Sequence, residues 1–132
     1  MKIPKLPLET LRNMDIAIIY LFGSQLHGQT TPMSDIDIGV VFKSHNTLKN
    51  SLNLYTKLYN IFTDIFPGPN EVDIVFMQQT SPAFQYEVIK HGKILYEIDP
   101  VFRANYEEQI AIEYMDFEPV RRIYSEALLS RK

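Results

Sequence analysis

The fold of this chain turns on Phe22–Phe42, "FGSQLHGQTTPMSDIDIGVVF". A Gly23-Ser24 pair stands ten residues ahead of Asp35-Ile36-Asp37, and Ile38, Val40 and Val41 follow. Residues of that second kind build a buried strand, here expected over Ser34–Phe42. Side chains alternate along a strand, so Asp35 and Asp37 share one face about 7 Å apart. Ile36 and Ile38 point the other way, into a core. A carboxylate so placed is costly unless it is hydrogen-bonded, paired or bound to a cation.

The pattern recurs downstream. Glu71–Phe76, "EVDIVF", reads as another strand, and Asp73 sits there between Val72 and Ile74. A third carboxylate beside the first two completes a hard, all-oxygen site. Such a site suits Mg²⁺, which keeps several waters and takes further ligands from substrate phosphates. Two such ions, about 4 Å apart, clamp an in-line phosphoryl or nucleotidyl displacement. Gly23-Ser24 has a complementary use. The pair directly follows the apolar run Ile16–Phe22, expected to be a strand. A glycine there lets the backbone approach a phosphate, and the serine hydroxyl adds a donor. The loop is not a Walker A turn, because G-x-x-x-x-G-K-[ST] is absent. Taken singly, a D-x-D is more often a turn or helix cap, and Gly-Ser more often a plain turn. In combination, three strand-borne acids at one sheet end are strongly unfavourable without a cation.

The rest of the chain supplies a frame for these residues. Thr47–Phe62 carries apolar residues at helical spacing. Ser81-Pro82 and Asp99-Pro100 each pair an N-cap residue with a proline at the first helical position. Helices are therefore expected over Pro82–Lys90 and from Val101 onward, the latter with the stripe Phe102, Tyr106, Ile110, Tyr114 and Phe117. Pro119 is expected to break or kink it. Ile94–Tyr96 reads as a short strand between the two helices. The expected architecture is α/β (α+β), a small mixed sheet with helices packed mainly on one face. The 132 residues suit a single domain over 1–132, with a C-terminal helical segment at about 100–130.

Composition narrows the function classes. A hydrophobic share of 45% supports a real core, and a charged share of 22% argues against wholesale disorder. The net charge of -3 argues against binding nucleic acid by broad phosphate neutralisation. With no cysteine, disulfides and thiolate metal sites are excluded, which fits a reducing cytoplasm. The apolar run Ile16–Phe22 is far too short to span a bilayer, and no signal peptide is legible.

Gly-Ser, ten residues, Asp-x-Asp and a third strand aspartate resemble the nucleotidyltransferase domain of the DNA polymerase β superfamily, over roughly Ile16 to Tyr96. The short chain and its Tyr- and Arg-containing tail resemble the minimal nucleotidyltransferase branch, the antitoxins paired with HEPN-domain toxins. The resemblance implies that Gly23 and Ser24 bind the β- and γ-phosphates of a nucleoside triphosphate. It implies that Asp35 and Asp37 hold two Mg²⁺, and that Asp73 ligates the catalytic ion and helps deprotonate the acceptor hydroxyl. It further implies AMP transfer from ATP to a tyrosine of a HEPN RNase toxin, which silences that partner. Direct nucleic-acid binding is not expected. An alternative is a weakly active or inactive module that neutralises its partner by forming a complex. One departure favours it: Gln25 stands where many relatives carry arginine, which removes a cation from the phosphate turn. His27, Lys43 and Lys90 are the candidate replacements. Ser24 with His27 does not make a hydrolase dyad, since there is no G-x-S-x-G elbow. Glu71 reads equally as a fourth ligand or an exposed strand start, and Arg121-Arg122 as a solvated face. The tyrosines, Tyr55, Tyr59, Tyr86, Tyr96, Tyr106, Tyr114 and Tyr124, read mainly as packing residues.

Overall fold

The computed structural model describes residues 5–23, 36–66, 68 and 71–115. The expected kink at Pro119, Phe117, Tyr124, Arg121-Arg122 and the helical segment beyond residue 115 lie outside the described residues. Four strands form one mixed sheet: β1 (Ile16–Gly23), β2 (Ile36–Phe42), β3 (Val72–Phe76) and β4 (Lys93–Glu97). Their spatial order is β3-β2-β1-β4. β1 runs antiparallel to both β2 and β4, and β2 runs parallel to β3. A parallel pair needs a crossover, which helix α2 (Ser51–Ile65) supplies.

Alternation along the strands divides the interior in two. Ile38, Val40 and Phe42 of β2 meet Leu54, Leu58 and Phe62 of α2 on one side of the sheet. The short helix α1 (Leu8–Asn13) adds Leu11 to this layer. Val41 of β2 faces the other side, with Tyr20 of β1 and Val88 of helix α3 (Pro82–His91). Phe102 and Tyr106 of helix α4 (Pro100–Met115) pack there too. The mixed α/β class and the four-stranded sheet match the sequence expectation, but the helices cover both faces rather than mainly one. The reason is that β1 and β2 are apolar on both faces. Such strands, like those of parallel α/β sheets, need a layer on each side. A β-bulge refines the division. The β1–β2 register shifts between Ile16 and Ile18, so the consecutive Ala17 and Ile18 join the same layer.

Local chemistry sets the boundaries. The Ser81 hydroxyl accepts a hydrogen bond from the Phe84 N–H at 3.2 Å, and Pro82 occupies the first turn of α3. The Asp99 carboxylate accepts from the Val101 N–H at 2.9 Å, capping α4. Both caps were legible as Ser-Pro and Asp-Pro. Replacing Ser81 by Ala is expected to cost about 1 kcal/mol, read as a lower midpoint in urea unfolding at unchanged slope.

The region expected as one helix from Thr47 divides in two. His45–Asn50 forms a 3₁₀ turn and the α-helix begins at Ser51. Asp15 explains the tighter start. Its Oδ2 accepts from the Thr47 hydroxyl at 2.6 Å and from the Ser44 N–H at 3.2 Å, which ties the turn to the start of β1. Asp15 itself sits at φ 64°, a left-handed conformation that Asp tolerates better than most residues.

A second tertiary device closes the far end of β2. The Gln78 side chain donates to the Phe42 carbonyl at 2.7 Å and accepts from the Phe42 N–H at 3.0 Å. One amide side chain thus supplies both bonds of a missing strand residue. Gln78→Ala is expected to cost about 1–2 kcal/mol, and hydrogen exchange at the Phe42 amide should accelerate in that variant and not in Gln79→Ala.

Candidate active site

The candidate site lies where β1 ends and β2 and β3 begin. The antiparallel register puts Phe22 opposite Asp37 and Gly23 opposite Ile36. The parallel register puts Asp37 beside Asp73. Phe22, Asp37 and Asp73 therefore form one row across three adjacent strands, each step about 4.8 Å. All three point to the face that carries α3 and α4, since Ile36, Ile38, Val72 and Ile74 pack on the opposite, α2 face. Asp37 is half-buried and Asp73 is exposed. The Ile36 N–H donates to the Glu71 carbonyl at 2.8 Å, which extends the parallel pairing to the rim of the site. The Glu71 residue is exposed, and its carbonyl secures the strand start.

Of the residues singled out in the sequence, the fold thus brings Gly23, Asp37 and Asp73 together. Ser24, Gln25, His27 and Asp35 lie outside the described residues. Lys43 is exposed at the opposite end of β2, away from the acids, and Lys90 is exposed near the end of α3. Among the described residues no group of three or more metal-ligating side chains forms. The Asp37–Asp73 pair fits a hard cation by chemistry and placement. Two carboxylates on adjacent strands offer oxygen ligands to an ion such as Mg²⁺, and open positions remain for water and phosphate.

Behind the acids the face is apolar. Gly39 follows Asp37 on the same side of β2. A β-carbon added there would lie 2.9 Å from the Met77 sulfur and 3.3 Å from Cε1 of Phe22. The glycine therefore makes room for the Phe22 ring to lie across β2. Phe84 of α3 meets that ring edge-on, with centroids 5.8 Å apart and planes at 77°. Sequence reading missed this wall because Phe22 and Phe84 look like ordinary core positions in their own elements.

The helical layer on this face of the sheet is anchored by polar groups. The Tyr20 hydroxyl donates to Glu107 at 2.6 Å, and Arg103 bonds both Glu97 and Glu107. The Tyr106 hydroxyl donates to Gln85 at 2.6 Å, and Gln85 in turn donates to the Thr80 carbonyl at 3.0 Å. Among the described residues no buried side-chain polar atom lacks a partner. Burial pushes both phenols well above their ordinary pKa, with Glu107 adding to the effect. Each phenol therefore keeps its proton in the folded chain where the unfolded chain loses it. Their contribution to stability is intact below about pH 10 and is lost as pH rises past it. An alkaline unfolding series is expected to show this fall, and Tyr20→Phe to flatten it.

The family model described as "Polymerase beta, Nucleotidyltransferase" matches residues 8–101, most of the chain and all of this site. The chain belongs to that nucleotidyltransferase family. Solved structures agree on the fold. A chain of a toxin–antitoxin complex crystallised with AMP-PNP superposes with a TM-score of 0.62 at 22% identity, covering 92% of this chain and 94% of that one. A chain of the MntA–HepT toxin–antitoxin complex gives 0.59 at 21% identity, covering 92% of each. A chain of the complex between a tri-AMPylated Shewanella oneidensis HEPN toxin and its MNT antitoxin gives 0.56 at 20% identity, again covering 92% of each. No curated relative matches at a significant level. In this member of the family, Phe22, Asp37 and Asp73 form one row across β1, β2 and β3. No helix among the described residues is long and apolar enough to cross a membrane.

Proposed function

We propose that this nucleotidyltransferase transfers AMP from ATP to a tyrosine hydroxyl of a HEPN-type toxin and so acts as its antitoxin in the cytoplasm. The observation that carries the reading is the register pairing of Asp37 with Asp73 at the sheet end where β1 delivers Gly23. The likeness to chains of toxin–antitoxin complexes, one of them with an AMPylated HEPN toxin, supports the choice of partner.

In this reading Asp35, Asp37 and Asp73 would hold Mg²⁺ through their carboxylate oxygens. When bound, Mg²⁺ neutralises charge on the triphosphate and on the departing pyrophosphate. Gly23 and Ser24 orient the β- and γ-phosphates through backbone N–H groups and a hydroxyl. The tyrosine oxygen forms a bond to the α-phosphorus as the bond from that phosphorus to the bridging oxygen breaks, and pyrophosphate leaves. In this reading Asp73 accepts the phenolic proton.

Gln25 favours a second reading, in which the fold blocks its partner by complex formation with little or no transfer. Intact mass of the HEPN partner, after incubation with this protein, ATP and Mg²⁺, separates the two. A gain in AMP units supports transfer. An unmodified partner held in a stable, inhibited complex supports the second reading.

A further inference from the structure

We infer that Phe22 and Phe84 form the wall against which the nucleobase of the bound nucleotide stacks. The inference rests on the proposed function and adds to it the part of the site that holds the base. Strand order provides the first argument. Phe22 flanks Asp37 on the β1 side and Asp73 flanks it on the β3 side; with Asp73 assigned to the acceptor and Gly23 to the phosphates, the nucleotide belongs on the β1 side. Phe22 directly precedes Gly23, the last residue of β1 and one of the residues assigned to the phosphates, which puts the aromatic wall on the nucleotide side.

Exposure and packing provide the second. Phe22 and Phe84 are each only half-buried, whereas Met77 beneath them is fully buried. Their edge-on contact fixes one ring against the other. A ring pair held in this way offers a rigid apolar surface at little entropic cost, and a base is a flat aromatic partner for it. Gly39 is part of the device, because any side chain there displaces Phe22 or Met77.

The test uses the protein in complex with its HEPN partner, with ATP as the varied substrate and inorganic tripolyphosphate as a base-free competitor. Phe84→Leu keeps bulk and removes the π face. It is expected to raise the KM for ATP about five-fold or more, leave kcat within about two-fold, and leave inhibition by tripolyphosphate unchanged. Phe84→Tyr is expected to restore the KM. An unchanged KM for ATP in Phe84→Leu would overturn the inference. So would a parallel loss of tripolyphosphate inhibition, which marks general distortion of the site, or a rise confined to the KM of the protein acceptor, which places the wall on the acceptor side. If the wild type transfers no AMP, the proposed function fails by itself. Calorimetric titration of ATP then tests the wall independently, with weaker binding in Phe84→Leu expected and equal binding overturning it.

Discussion

Asp37→Asn is expected to leave the chain folded and to lower AMP transfer by at least about 10²-fold. The substitution conserves shape and removes one negative charge from a half-buried position on the rim of the sheet. The strand itself is held by Ile38, Val40 and Phe42 on the α2 side and by Val41 on the other, none of which changes. What is removed is the carboxylate that lies in register between Phe22 and Asp73, the one proposed to hold Mg²⁺. Circular dichroism should therefore match the wild type while the mass gain of the partner disappears. A linked effect follows from mass action. Mg²⁺ with ATP should raise the Tm of the wild type, because a ligand that binds only the folded state stabilises it. Asp37→Asn should lose most of that increment. Asp73→Asn should reduce transfer to a similar degree, and the double variant should be little worse than either single one, as expected of groups that act as a unit. Full transfer by Asp37→Asn would show that the acid pair is not the reaction centre.

Gly92→Ala is expected to cost about 1–3 kcal/mol in folding stability, although Gly92 is no catalytic residue and its φ of -75° suits any amino acid. The reason is space. A β-carbon there would lie 2.6 Å from the Val88 carbonyl oxygen and 3.3 Å from the Leu21 carbonyl oxygen. Both are backbone atoms, so neither can rotate away as a side chain does. The Gly92 N–H also donates to the Val88 carbonyl at 2.7 Å, closing α3. Moving Gly92 outward breaks that bond or disturbs the start of β4, where Lys93 pairs with Leu21. Urea unfolding should show a lower midpoint with unchanged slope. A Gly92→Ala protein as stable as the wild type would mean that α3 shifts on the sheet with ease. That outcome would also weaken the case for a rigid Phe84.

Sequence alone determined a good deal of this protein. The β-branched runs marked β1, β2 and β3, because such residues suit a strand whether or not its neighbours are known. Ser81-Pro82 and Asp99-Pro100 marked two helix starts, because a cap is a bond between residues two or three apart. Alternation put Asp37 on the face opposite Ile36 and Ile38, and spacing against Gly23-Ser24 gave the family. These signals are local, and local geometry obeys them. The tertiary structure decided the rest. Which strands are neighbours is not encoded in the period of any one of them, so only the parallel pairing of β2 with β3 brings Asp73 beside Asp37. Only the folded sheet shows that helices cover both faces, because each helix pattern states which side is apolar and not which side of the sheet receives it. Gln78 capping β2, Tyr20 reaching Glu107 and Phe84 meeting Phe22 join residues 36, 87 and 62 positions apart. Such contacts follow from how the layers are stacked, and no periodicity along a single element records that stacking.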